Sequence, residues 1–191
     1  DHGYHLGEKG HWQKQTLYDR ATKVPLIISG PGIKSNKKIL NSPVELVDLY
    51  KTIMDLTGID VPKFVQGYSL KESLVSDKEV VRKSALSELR VYSEKELGQG
   101  YSIKTNRYRL IEWDYKNKIY HELYDHKYDP NENNNLSSDE SYIQIKDSLK
   151  IILKNRILEA RKKPDGLGRQ IQNAKPNFEP KRIFSSEKSR L

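Results

Sequence analysis

Asp1-His2-Gly3-Tyr4-His5-Leu6-Gly7-Glu8-Lys9-Gly10-His11-Trp12-Gln13-Lys14-Gln15-Thr16-Leu17-Tyr18, followed by Ala21-Thr22-Lys23-Val24-Pro25-Leu26-Ile27, is the stretch that decides the fold. It joins a polar, glycine-punctuated loop to a short apolar run, Val24 to Ser29, which ends at Gly30-Pro31-Gly32. A continuous run of this kind predicts a strand buried on both faces rather than one that alternates between core and water. Few other segments could cover it. Strands and helices preceding Asp1 are therefore expected to complete its sheet, and these residues are not expected to form an independent folding unit.

The same stretch carries the candidate chemistry. Asp1 and His2 can offer a carboxylate oxygen and an imidazole nitrogen to one divalent cation if the backbone turns sharply, which Gly3 permits. An Asp-His pair near a terminus is also, commonly, just a solvated pair. His5 and His11 extend the histidine-rich stretch, but their spacing fits no zinc helix motif such as H-E-x-x-H. Lys14 lies in a segment where Gly7 and Gly10 let backbone approach a ligand, and its ammonium could hold a sulfate or phosphate oxygen. Without that context a lone lysine is a surface residue.

Further along, Ser42 as N-cap, Pro43 at the first helical position, Glu45 closing a capping box and Gly58 as the stop predict a helix. Leu46, Leu49, Tyr50, Ile53, Met54 and Thr57 give it one apolar face for packing. A strand is expected over Ala85 to Val91. The segments Tyr101 to Asp114 and Lys118 to Tyr124 read as an antiparallel hairpin turning at Lys116-Asn117. Tyr128 to Leu136 is a loop by composition. Ile145, Leu149, Ile152, Leu153 and Arg156 then mark one side of a final helix running to Arg161.

Composition narrows the function classes. The chain has 191 residues, 35% hydrophobic and 31% charged, which suits a polar globular protein with a core drawn from a few segments. No apolar run approaches the roughly 18 residues that span a bilayer. Cysteine is absent, so these residues hold no disulfide, thiolate metal site or cysteine nucleophile. Most of the net charge of +8 is terminal, because residues 161–191 carry nine Lys or Arg against Asp165, Glu179 and Glu187. That tail reads as solvated and flexible; a surface gripping an anionic polymer is the sharper alternative.

Taken as a whole, the opening run resembles the sulfatase family in its iduronate-2-sulfatase-like branch, through D-H-G, then L-G-E-x-G-x-W-x-K, then A-T-x-V-P. Val47-Asp48-Leu49-Tyr50 with Leu56-Thr57-Gly58, Gly67-Tyr68-Ser69-Leu70, and Lys104-Thr105-Asn106-Arg107-Tyr108 through Glu122-Leu123-Tyr124-Asp125 to Asp129-Pro130-Asn131-Glu132 continue the similarity to about residue 158. The resemblance implies an α/β, alkaline phosphatase-like fold: the C-terminal part of a large mixed sheet, plus a small antiparallel sheet packed with a C-terminal helix. It divides the chain into residues 1–80 of the catalytic domain, an antiparallel-sheet subdomain over 81–160, and the basic tail 161–191.

The implied activity is hydrolysis of sulfate esters of carbohydrates. Asp1 and His2 would be ligands of the active-site cation, calcium in this family, and Lys14 would contact the sulfate near its bridging oxygen. His5 and His11 could face the sugar, with no role carried over. The family's formylglycine nucleophile arises from C-x-P-x-R or S-x-P-x-R, and neither pattern occurs here, so it is expected upstream of Asp1 and this segment alone is expected to be inactive. The resemblance also implies a periplasmic or extracellular protein. A sulfated carbohydrate is the expected partner; no nucleic acid is expected. A phosphatase or phosphodiesterase of the same superfamily and a noncatalytic polyanion-binding protein are the alternatives.

Overall fold

The computed structural model describes residues 1–34, 39–76, 82–93 and 96–162; the side chains of 92, 93, 96 and 97 are not described. Its centre is a four-stranded antiparallel sheet in sequence order, β3 (Ala85–Ser93), β4 (Glu96–Lys104), β5 (Tyr108–Tyr115) and β6 (Lys118–Asp125). A two-residue hairpin pair, β1 (His5–Leu6) and β2 (Trp12–Gln13), lies at the start of the chain. Among the described residues four α-helices accompany them: α1 (Asp19–Thr22), α2 (Asp48–Thr57), α3 (Lys71–Val75) and α4 (Ile143–Ala160).

Both faces of the large sheet are covered, which explains why Arg109-Leu110-Ile111 is buried without a break. Register aligns Ile103, Leu110 and Leu123 as a row across β4, β5 and β6. On α4, Leu149 and Leu153 lie four residues apart and close this row into the main core. Burial of each such side chain contributes about 1.5–3 kcal/mol. The opposite face carries Ile111 and Tyr124, and Leu17 from the opening segment packs on it. The sheet is thus a partition: α4 on one side, the site-bearing segment on the other.

Several local expectations hold. Lys116 and Asn117 take φ of 55° and 59°, the two left-handed residues of a type I′ turn between β5 and β6. Gly58 ends α2 at φ 72°. The run Tyr101 to Asp114, however, is two strands: the chain turns at 105–107, where the Thr105 amide donates to the Tyr108 carbonyl at 2.8 Å.

Helix α2 departs from its sequence reading at both its start and its face. It begins at Asp48, with Val47 at the N-cap position and no side-chain cap there. Glu45 lies before the helix rather than in its first turn; its carboxylate accepts from the Leu86 amide and Arg156, each at 2.7–2.8 Å, and pairs with Arg82. Donors from β3 and α4 have recruited it. The buried residues of α2 are Asp48 and Thr52, which accept from the Tyr68 and Leu70 amides at 2.7 and 2.9 Å. The predicted apolar face looks outward, with Tyr50 58% and Ile53 59% exposed. The Val24–Ser29 run likewise has no ladder partner among the described residues, and Ile27 is 89% exposed. Structure of the basic tail from residue 163 onward lies outside the described residues.

Candidate active site

Asp1, His2 and Lys14 come together although twelve residues separate the imidazole from the ammonium. Lys14 Nζ donates to His2 Nε2 at 3.0 Å, and the same nitrogen lies 3.6 Å from Asp1 Oδ1. His2 Nδ1 donates to the Gly3 carbonyl at 2.7 Å. That bond fixes the tautomer, so the lone pair sits on Nε2, beside the carboxylate; backbone anchoring of the far nitrogen is how metal-binding histidines are oriented.

Gly3 serves this geometry by close approach rather than by a left-handed turn. Its amide donates to the Ala21 carbonyl at 2.9 Å, and a Cβ there would lie 1.9 Å from the Arg20 carbonyl oxygen. Only glycine lets the strip bearing Asp1 and His2 lie flat on α1. The left-handed glycines of this stretch are Gly7, at φ 116°, and Gly10, at φ 71°; they bend the chain so that β2 returns and delivers Lys14 next to His2.

His5 and His11 part company. His5 is fully buried beneath the small hairpin, with Nε2 on Thr16 Oγ1 at 2.7 Å, so it has no surface to offer a sugar in this conformation. Its alternating position on a two-residue strand turns it inward. Burial first, then the neighbouring His11, pushes its pKa below the ordinary 6.5. His11 is exposed and its ring is tilted at 60° to that of His5, centroids 5.7 Å apart.

Sequence reasoning missed a buried polar lattice immediately behind the site. Arg109, 2% exposed, donates from Nε to Glu132 Oε1 at 2.6 Å, from Nη1 to the Leu17 carbonyl at 2.8 Å and Ser102 Oγ at 2.7 Å, and from Nη2 to Asp19. His126 sets Nε2 2.8 Å from Glu132 and Nδ1 3.4 Å from Asp19. Burial opposes ionisation of Glu132, but the His126 hydrogen bond and the Arg109 charge outweigh it and hold its pKa below the usual carboxylate value. Asp19, His126 and Glu132 are close enough to ligate one ion, yet the Arg109 guanidinium already bonds both carboxylates and supplies the compensating charge. The signals were present only as an arginine inside an apolar strand and a carboxylate in a loop; their pairing spans 23 and 90 residues.

Lys104 stands half-buried next to this lattice. Burial, only partly offset by Asp19 and Glu132, lowers its amine from 10.5 to about 8. The folded protein therefore carries the cost of a desolvated ammonium below about pH 8, and that cost fades as the unfolded chain also loses its proton toward 10.5. Lys104→Met is expected to raise the thermal midpoint at pH 7, with a gain that shrinks steadily between pH 8 and 10.5; melting curves across that range check it.

The arrangement offers two acceptors for a cation beside one donor for an oxyanion, all on one face of an α/β protein. The family described as N-sulphoglucosamine sulphohydrolase, C-terminal, matches residues 7–162. The chain belongs to this sulfatase family. It is 34% identical over 133 residues to a protein named sulfatase from Formosa agariphila, covering 69% of this chain and 24% of the relative. It is 37% identical over 137 residues to a delta 4,5-hexuronate-2-O-sulfatase of Bacteroides thetaiotaomicron, covering 68% and 27%. A solved 2-O GAG sulfatase superposes with a TM-score of 0.75 at 32% identity, covering 83% of this chain and 35% of that one. The chain thus spans about a quarter of the length of these curated relatives.

Proposed function

We propose that this chain supplies the cation-facing and leaving-group-facing part of a sulfatase that hydrolyses sulfate esters of carbohydrates. The observation that carries the reading is the convergence of Asp1, His2 and Lys14, with the His2 lone pair aimed by the Gly3 carbonyl. The donor set fits a divalent cation: a carboxylate oxygen and an imidazole nitrogen 3.6 Å apart, both reachable from solvent. Calcium is the ion the resemblance suggests, and Asp1 and His2 would be its ligands from this chain. Bound there, it would draw charge from the sulfate oxygens.

Lys14 has a separable role. Its Nζ is held on His2 Nε2, the acceptor a cation would take; with that acceptor occupied, the ammonium turns to an anion instead. Facing the ester's bridging oxygen, it stabilises negative charge as the sulfur–oxygen bond breaks. The attacking group, a formylglycine by resemblance, would come from outside these residues. Uronate 2-O-sulfates are the substrate class suggested by the name of one relative, a hexuronate-2-O-sulfatase, and a periplasmic or extracellular setting is part of the same proposal.

The test is a comparison of rates for the full-length protein. An aryl sulfate should be hydrolysed faster than the matching aryl phosphate, with activity lost on chelation and restored by calcium. Faster phosphate hydrolysis with tightly held zinc would make it a phosphohydrolase of related fold.

A further inference from the structure

Four polar side chains from distant parts of the chain, Arg109 and Glu132 buried and Asp19 and His126 partly so, converge behind the site, and their bonds lead directly to both halves of it. Glu132 is 2% exposed and, though not glycine, adopts a left-handed φ of 58°. Four partners hold it there: Arg109 Nε at 2.6 Å, His126 Nε2 at 2.8 Å, the Asp19 amide at 2.9 Å, and Lys9 Nζ on its carbonyl. A strained residue fixed by so many contacts marks a place where geometry, rather than stability alone, is being specified. Buried ion pairs are commonly poorer stabilisers than apolar packing of the same volume, which points the same way.

Two routes run from this lattice to the site. In the first, Glu132 and Arg109 grip Asp19, the first residue of α1, and the Ala21 carbonyl of that helix receives the Gly3 amide at 2.9 Å, directly after His2. In the second, Arg109 Nη1 holds the Leu17 carbonyl at 2.8 Å; next to it, the Thr16 amide donates to the Lys14 carbonyl at 2.8 Å. The cation ligands and the ammonium therefore hang from one short segment, residues 14–22, and that segment is fastened to the C-terminal sheet through Arg109 and to the 129–132 turn through Glu132.

We propose that Glu132, Arg109, Asp19 and His126 are positioning residues: they lock the C-terminal sheet to the site-bearing segment so that Lys14 and His2 keep their mutual placement. None of them reaches the reacting atoms. The role rests on the sulfatase reading for its catalytic consequence, but the coupling itself is a statement about hydrogen bonds and is measurable without turnover. Misplacing a catalytic group by about 1 Å is enough to cost on the order of 10²-fold in rate.

The experiment uses the full-length protein with Glu132→Gln, which keeps the size of the side chain and removes its charge. Amide hydrogen exchange should accelerate about ten-fold or more at Gly3 and Thr16 while the amides of α4 keep their protection. In parallel kcat should fall by about ten-fold or more with KM little changed. Exchange that rises equally in α4, or that stays unchanged at Gly3 and Thr16, overturns the proposal. Should Glu132→Gln not fold, His126→Gln removes one partner of Glu132 and is read at the same two amides. A wild-type protein without sulfatase activity would sink the functional reading, and the exchange pattern would still decide the coupling.

Discussion

Lys14→Ala in the full-length enzyme is expected to lower kcat on a sulfate ester by about 10²–10³-fold, the usual loss when one preorganised donor to a developing charge is removed. The side chain is exposed and its bond within the described residues is to His2 Nε2 at 3.0 Å, so little stability depends on it. The melting temperature should stay near that of the parent. Substrate binding should weaken less than turnover, because charge on the leaving oxygen grows only as the bond breaks. Lys14→Arg should recover only part of the rate, since a planar fork cannot occupy the position of a compact ammonium. Steady-state kinetics with a thermal scan check all three; an unaltered kcat would remove Lys14 from the reaction.

Arg109→Ala should have the largest effect on stability, about 3–5 kcal/mol, by leaving buried carboxylates without their counter-charge. Arg109 and Glu132 are both 2% exposed at the side chain, and loss of the guanidinium also frees the Leu17 carbonyl and the Ser102 hydroxyl. Burial is what separates this from surface pairs. Arg90 and Glu88 lie 3.4 Å apart with side chains 58% and 46% exposed, and Arg90→Ala should change stability by no more than about 1 kcal/mol. The pH dependence has a definite sign. Because the pKa of Glu132 is depressed in the fold, its contribution is complete above its ordinary value of 4.5 and is lost as the pH falls below it. Chemical unfolding at pH 7 and again below 4.5 should therefore show the cost of Arg109→Ala diminishing in acid.

How much of this was legible in the sequence depended on the range of the interaction. Turns governed by their own residues, such as Lys116-Asn117 and the stop at Gly58, were readable because backbone preference decides them. Helix α4 was readable because Ile145, Leu149 and Leu153 meet a single sheet face, although Ile152, expected on the same side, is 36% exposed. Helix α2 was not, since Glu45 is claimed by Arg82, Arg156 and the Leu86 amide, all distant in sequence, and the loop carrying Tyr68 to Leu70 docks on the polar side of the helix. Its apolar stripe predicted a packed face, whereas Leu46, Tyr50 and Ile53 are exposed and Asp48 and Thr52 are the buried positions.

The site divides in the same way. Asp1, His2 and Lys14 stand in one long motif, and the structure brings them within hydrogen-bonding range or close to it. His5 belongs to the same histidine-rich stretch, but strand alternation turns it inward onto Thr16, away from any sugar. Arg109, Glu132, Asp19 and His126 escaped notice because nothing local distinguishes a buried lattice from ordinary surface charge.

The most direct measurement is a crystal structure of the full-length protein grown with calcium and inorganic sulfate. A cation is expected on Asp1 and His2, with Lys14 released from His2 and hydrogen-bonded to a sulfate oxygen. A cation and sulfate bound elsewhere, with Lys14 still on the imidazole, would contradict this expectation.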